Sequence, residues 1–132
     1  MEHETEAVII SGFSRLSSYE LYNHFRAVSL SRDYRFLYAI INDPQSAAGY
    51  FRQLPSVNDN IVLNIDIGTR DEHCKFLLKF GSMNGCVGNM TLHREMQRFL
   101  NAISMHKGIH THDDPEYLTQ SKSRPASKPF FS

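Results

Sequence analysis

The fold expected of this 132-residue chain rests on two stretches with strand-like alternation, Val8-Ile9-Ile10-Ser11-Gly12-Phe13 and Tyr34-Arg35-Phe36-Leu37-Tyr38-Ala39-Ile40-Ile41. Successive side chains of a strand point to opposite faces of a sheet. In the second stretch, Leu37, Ala39 and Ile41 are therefore predicted to point to the core. The opposite, uncovered face is predicted to carry the side chains of Tyr34, Phe36, Tyr38 and Ile40.

Each of these strands is followed by a predicted helix start. Ser17 and Glu20 have the spacing of a capping box. Asp43 and Pro44 are suited to the N-cap and first position of a second helix, which would end at Pro55. A weak strand at residues 27–31 and a cleanly alternating strand at residues 61–67 complete the pattern. The order β-α-β-β-α-β predicts an α+β, ferredoxin-like fold with a four-stranded antiparallel sheet backed by two helices.

The second half of the chain is predicted to be a helical extension. The apolar residues between His73 and Phe80 have helical spacing, and residues 91–106 form an amphipathic pattern. The predicted boundaries are a sheet domain at 6–68, a C-terminal helical extension at 69–118 and a disordered basic tail at 119–132. The helix at 91–106 is expected to cover the sheet, extend the core or bind a partner through Met96, Phe99 and Ile103.

The stretches at 8–13 and 34–41 resemble the two core motifs of the RNA recognition motif family, over residues 6–68. In that family, aromatic rings on the open sheet face stack bases. The resemblance puts Phe36 and Tyr38 at the stacking positions of the longer motif, while Ile9 stands where the first motif usually has an aromatic ring. It implies a module that binds single-stranded RNA in RNA processing or regulation, through Ile9, Tyr34, Arg35, Phe36, Tyr38 and Asn64.

A second hypothesis is a protein-interaction or dimerisation module of the same fold. The short connection between the second and third predicted strands is loosely similar to the RRM-like domain of mitochondrial poly(A) polymerases, which implies self-association. Charge also favours this alternative. Residues 1–68 hold five arginines and eight carboxylates, for a net charge of −3, whereas phosphate neutralisation supplies much of nucleic-acid affinity. Such a module would act inside an RNA-processing complex, as a homodimer or with another protein.

Enzymatic and metal chemistry are not expected. The sequence has no nucleophile motif, phosphate-binding glycine loop or paired-carboxylate signature, so neither catalysis nor a cofactor is predicted. The histidines at 106, 110 and 112, with Asp113 and Asp114, do not have the spacing of a closed zinc site. Cys74 and Cys86 are expected to be reduced thiols.

The composition is that of an ordinary globular chain, with 41% hydrophobic and 21% charged residues. It contains no apolar run long enough to span a membrane. The acidic N-terminus, residues 1–6, resembles neither a secretory signal nor a mitochondrial presequence. An intracellular location is therefore expected, nuclear or cytoplasmic.

Overall fold

A computed structural model of the chain describes residues 5–112 and 116–120, with side chains described for residues 7–112. Two helices and seven strands are present in these ranges. The strands are β1 (Thr5–Ser14), β2 (Tyr34–Asn42), β3 (Ser46–Gln53), β4 (Ile61–Arg70), β5 (His73–Ser82), β6 (Ile109–Thr111) and β7 (Glu116–Gln120). The helices are α1 (Ser18–Ser31) and α2 (Asn89–Ile103), and a short 3-10 turn (Met83–Gly85) lies before α2.

All strands belong to one antiparallel sheet with the order β2-β3-β4-β5-β1-β6. Strand β7 also pairs with β1, over Thr5–Ile9, next to the part of β1 that pairs with β6. The α+β class is therefore confirmed. The observed element order, β-α-β-β-β-β-α before β6, differs from the predicted β-α-β-β-α-β, and the sheet is larger than the predicted four strands.

Both helices pack on the same side of the sheet, α1 against β2, β3 and β4, and α2 against β1 and β5. The capping box of Ser17 and Glu20 is present as predicted. Gly49 in β3 lets α1 approach closely, because a Cβ atom there would come within 2.6 Å of the Tyr22 ring. Edge-to-face aromatic pairs cross the core, Phe25 on Phe76 and Phe80 on Phe99. Within residues 5–112 and 116–120, this layer leaves the other side of the sheet, the distal face, without a helix.

The second predicted helix is wrong, because residues 46–53 form strand β3. Asn42 and Gln45 close the turn that precedes it, with the Gln45 amide donating to the Asn42 carbonyl at 2.7 Å. The buried positions in β3 alternate with a period of two residues: Ala47, Gly49, Phe51 and Gln53. The prediction used the spacing of Ala47, Phe51 and Leu54, which also fits a helix. Pairing with β2 on one side and β4 on the other favours the strand.

Two further predictions of local structure are corrected. Residues 27–31 continue α1 and are not a strand. Residues 73–80 form most of β5 and are not a helix, since Cys74, Phe76, Leu78 and Phe80 alternate into the core. Strand β5 lies between β4 and β1 in the centre of the sheet. The predicted boundary after residue 68 therefore cuts through β4, and much of the expected helical extension is sheet. Of the tail expected to be disordered, 119–132, residues 119 and 120 end strand β7, and residues 121–132 lie outside the described residues.

The amphipathic helix is present as α2, and its apolar stripe is buried. Met96, Phe99 and Ile103 are fully enclosed in the main core cluster. The prediction that these residues bind a partner is therefore corrected, because they already pack against the sheet. Within the described residues, neither helix combines the length and apolar character needed to cross a membrane.

Candidate functional site

A β-bulge in strand β2 determines where the two aromatic rings of the longer motif point. Phe36 pairs with Phe51, but Tyr38 pairs with Tyr50, so Leu37 is an extra residue without its own partner in β3. An extra residue of this kind interrupts the alternation of side chains. Phe36 consequently lies on the helix side, where its ring contacts Phe51 and lies 5.7 Å from the Arg26 guanidinium. Tyr38 lies on the distal face.

The predicted stacking pair of Phe36 and Tyr38 is therefore not formed on one face. The ring beside Tyr38 is Tyr50 of β3, with ring centroids 4.3 Å apart and an interplanar angle of 20°. Tyr50 is not among the predicted site residues, because the sequence pattern predicts a helix over this segment. The alternative interpretation, a period of two residues with Tyr50 and Phe51 on opposite faces, places Tyr50 on the distal face.

The structure separates the other residues predicted to bind RNA. Ile9 is on the distal face but only 2% exposed, and Tyr34 is buried on the helix side. The Asn64 side chain donates to the Gly49 carbonyl at 3.2 Å. Arg35 is exposed and lies opposite Arg52 in the register of β2 and β3. Of the six predicted residues, only Arg35, Tyr38 and Asn64 share the accessible part of the distal face.

Tyr34 belongs to a buried polar network and not to a binding surface. Its hydroxyl donates to Glu95 Oε1 at 3.0 Å, and Gln53 Nε2 donates to the same oxygen at 2.9 Å. Arg98 Nη1 donates to Glu95 Oε2 at 3.0 Å. Burial, followed by the Glu95 charge, raises the pKa of Tyr34 well above its usual value of 10.0. The phenol therefore stays protonated and joins β2 to α2 as a donor.

The accessible part of the distal face mixes aromatic rings with charges. Asp66 lies half-buried between Ala48 and Leu77 in neighbouring strands. Desolvation raises the pKa of Asp66 above its usual 3.8, and the nearby Lys79 opposes this effect. Burial, then the Asp66 charge, raises the pKa of Tyr50. Arg52 is held by Asp59, whose carboxylate lies 4.0 Å from Arg52 Nη2.

Strand β2 carries a cluster of exposed apolar side chains. Five of its large side chains retain substantial exposure: Phe36 41%, Leu37 43%, Tyr38 52%, Ile40 61% and Ile41 41%. They project from both faces of the strand. Among the described residues β2 borders only β3, so the backbone groups along its outer side have no partner strand. An exposed apolar edge strand of this kind is a template for pairing with another chain.

The histidines near the C-terminus are not brought together. His106 packs on His24 at 4.8 Å, His110 stacks on Phe13 at 4.9 Å, and His112 Nδ1 is 2.8 Å from Ser11 Oγ. Asp113 and Asp114 lie outside the described residues. Within the described ranges, no three side chains of His, Cys, Asp or Glu are placed to hold a metal ion.

Comparison with known proteins identifies no relative. Neither a family model, nor a curated protein, nor a solved structure matches the chain.

Proposed function

We propose that the protein is an interaction module that pairs with a second copy of itself through the outer side of strand β2. The observation that carries this proposal is the run of five exposed apolar side chains on a sheet edge. Strand addition satisfies the backbone groups of the edge, and the side chains of both strands cover one another. This is the dimerisation alternative raised by the sequence, with the edge of β2 as the contact.

The charges at the two ends of β2 favour an antiparallel copy as the occupant. Arg35 lies near the start of the strand, and Asp43 follows its last residue. Neither forms an ion pair within the part of the chain that the structure describes. An antiparallel two-fold pair places Arg35 of each copy at the end where the other copy has Asp43, whereas a parallel pair would place like charges together.

The regular part of β2 determines which residues of the two copies pair in the proposed dimer. The segment beyond the bulge, residues 38–42, alternates without interruption. A two-fold axis at Ile40 pairs this residue with its own copy and Tyr38 with Asn42, and it places Ala39 opposite Ile41. Paired residues in antiparallel strands share a face, so the two sheets become one continuous sheet with apolar contacts on both sides.

Analytical ultracentrifugation of the full chain tests the dimer over a concentration series from about 5 µM to 1 mM, the range expected for a small interface. We expect a concentration-dependent monomer–dimer equilibrium. Ile40→Lys should weaken association at least tenfold, because a charge would face its own copy across the axis. The matched control is Val57→Lys, since Val57 is a similarly exposed (52%) apolar residue in the β3–β4 loop. A chain that stays monomeric throughout contradicts the proposal, as does an equal effect of the two substitutions.

Single-stranded RNA binding on the distal face is a second candidate function. The observation that favours it is the stacked pair of Tyr38 and Tyr50, with Arg35 and Lys79 on the same face. Stacking of a base on an exposed ring contributes about 1–3 kcal/mol. This proposal replaces Phe36 by Tyr50 as the second ring of the site.

Because the bulge places Phe36 and Tyr38 on opposite faces of the sheet, substitution of each ring by itself tests this second function. In a fluorescence titration with short single-stranded RNAs at low and moderate salt, Tyr38→Ala should weaken binding about fivefold or more, the loss of one stacking contact. Phe36→Ala is the matched control, because it removes a ring two positions away on the helix side and should leave binding within about twofold. Absence of saturable binding by the unmodified chain at low salt rejects RNA binding.

A further inference from the structure

A cavity of about 530 Å³ opens on the distal face of the sheet, to which Phe13 and Lys75 belong. It lies where the ends of β1, β4 and β5 meet the residues that follow β6, and Phe13, Arg70, Lys75 and His112 line it. Its volume falls within the range of pockets that bind small ligands. Neither the dimer contact nor the tyrosine pair uses it.

The walls of the cavity are positively charged. Arg70 and Lys75 supply two cations, and His73 and His112 supply two imidazoles. Among the described residues that line the cavity, none carries a carboxylate. Neither Arg70 nor Lys75 forms an ion pair within the described part of the chain. The nearest acidic residues in sequence, Asp71 and Glu72, form the turn between β4 and β5 and are not part of the lining.

Strand pairing explains why these cations converge. Arg70 is opposite His73 at the end of the β4–β5 ladder, and Lys75 is opposite both Gly68 and Phe13 in its two neighbouring strands. Because Gly68 has no side chain, the space beside Lys75 stays open. Gly12 also keeps β6 close, since a Cβ atom there would collide with the His110 carbonyl and the Phe76 ring. The fold therefore places Arg70 and Lys75 around a gap beside Gly68.

An exposed aromatic ring, that of Phe13, lies beside the cations. The Phe13 ring stacks on His110 at 4.9 Å and meets the His73 ring edge-on at 5.8 Å, yet Phe13 remains 39% exposed and lines the cavity. An exposed ring next to paired cations provides the two contacts that a phosphate ester with a flat ring requires.

We propose that this cavity binds a nucleoside monophosphate. Arg70 and Lys75 contact the phosphate oxygens, Arg70 as a fork of donors and Lys75 as a point charge. The base lies against the Phe13 ring. Ser11, whose hydroxyl lies 2.8 Å from His112 Nδ1, also lines the cavity.

Chemical-shift titration of the full chain with adenosine monophosphate, adenosine and inorganic phosphate tests the assignment. We expect saturable shifts at Phe13, Arg70 and Lys75 with the monophosphate, with at least tenfold weaker binding of adenosine or phosphate alone. Lys75→Gln should weaken monophosphate binding at least fivefold. The matched control is Lys79→Gln, because Lys79 lies on the same strand and the same face, four residues away and outside the lining.

The aromatic contact is tested separately with Phe13→Leu, which keeps an apolar side chain. It should weaken binding of the monophosphate and leave the weak binding of inorganic phosphate unchanged. Thermal unfolding identifies any variant that fails to fold, and Arg70→Gln then replaces Lys75→Gln. Equal effects of Lys75→Gln and Lys79→Gln, or shifts confined to Tyr38 and Tyr50, overturn the proposal. Equal binding of the monophosphate and phosphate overturns the role of the ring.

Discussion

The two carboxylates Glu95 of α2 and Asp66 of β4 differ in how their burial is compensated. Glu95 is buried, and its two carboxylate oxygens accept from Tyr34, Gln53 and Arg98. Asp66 is half-buried on the distal face. Desolvation raises its pKa, and among the causes of the shift only the charge of Lys79 lowers it. A buried carboxylate that accepts several hydrogen bonds is compensated, whereas a carboxylate whose desolvation outweighs the attraction of one cation is not. The charged form of Asp66 therefore destabilises the folded state.

Replacing Asp66 by Asn should stabilise the folded chain at neutral pH. The folded-state pKa of Asp66 lies above its unfolded value of 3.8, so the folded state binds more protons in the window between the two values. The destabilisation by the charged form is complete above the folded pKa and disappears below the unfolded pKa. We expect Asp66→Asn to raise the free energy of unfolding by up to about 1 kcal/mol at pH 7, after allowance for solvent screening.

Urea unfolding at a series of pH values measures this effect. The difference between Asp66→Asn and the unmodified chain should shrink as the pH falls towards 3.8. Asp59→Asn is the control, since Asp59 is an exposed carboxylate beside Arg52. A constant difference at all pH values would show that hydrogen bonding of the new amide, and not desolvation of the carboxylate, causes the change.

At the scale of the element, strand β2 is divided by its bulge. Phe36, which precedes the bulge residue Leu37, faces α1. Tyr38, which follows Leu37, faces away from both helices. Bulges also twist an edge and limit its pairing with other chains. The bulge therefore restricts the regular outer edge to the five residues beyond it, the segment on which the proposed dimer depends.

Deleting Leu37 should straighten the strand without moving either ring to a new face. Phe36 would stay opposite Phe51 and Tyr38 opposite Tyr50, because removal of the extra residue restores continuous alternation. The longer regular edge should then tighten self-association about threefold or more, with a small change in the unfolding midpoint. Leu37→Ala retains the bulge and is the control. Sedimentation equilibrium gives the comparison, and weaker association of the deletion variant than of Leu37→Ala would contradict it.

At the scale of the molecule, the sheet separates two surfaces. Strands β2 and β5, which carry Ile40 and Lys75, are three strand spacings apart, about 14 Å at the usual interstrand distance. The proposed dimer contact lies at the first, and Lys75 of the cationic cavity at the second; the cavity also includes the end of β4, where Gly68 pairs with Ser46 of β3. No described contact joins Ile40 to the residues that line the cavity. Sites this far apart without shared partners usually act independently.

The double variant Ile40→Lys with Lys75→Gln should therefore combine both defects without interaction. Its dimer dissociation constant should match that of Ile40→Lys, and its affinity for adenosine monophosphate should match that of Lys75→Gln. We expect the coupling free energy to be below about 0.5 kcal/mol. A larger coupling, measured by ultracentrifugation with and without saturating monophosphate, would show that the two edges communicate through the sheet.

The amino-acid sequence by itself determined the α+β class, the capped start of α1, the apolar stripe of α2 and the alternating strand β4. These features depend on neighbours within a few residues, such as Ser17 with Glu20, and on long uninterrupted periodicity. Only the tertiary structure decided that residues 46–53 and 73–82 are strands, because a short apolar run fits periods of both 2 and 3.6 until a partner strand pairs with it. It also decided that Phe36 and Tyr38 point to opposite faces, since a one-residue bulge is defined by the register against β3 and leaves no local signal.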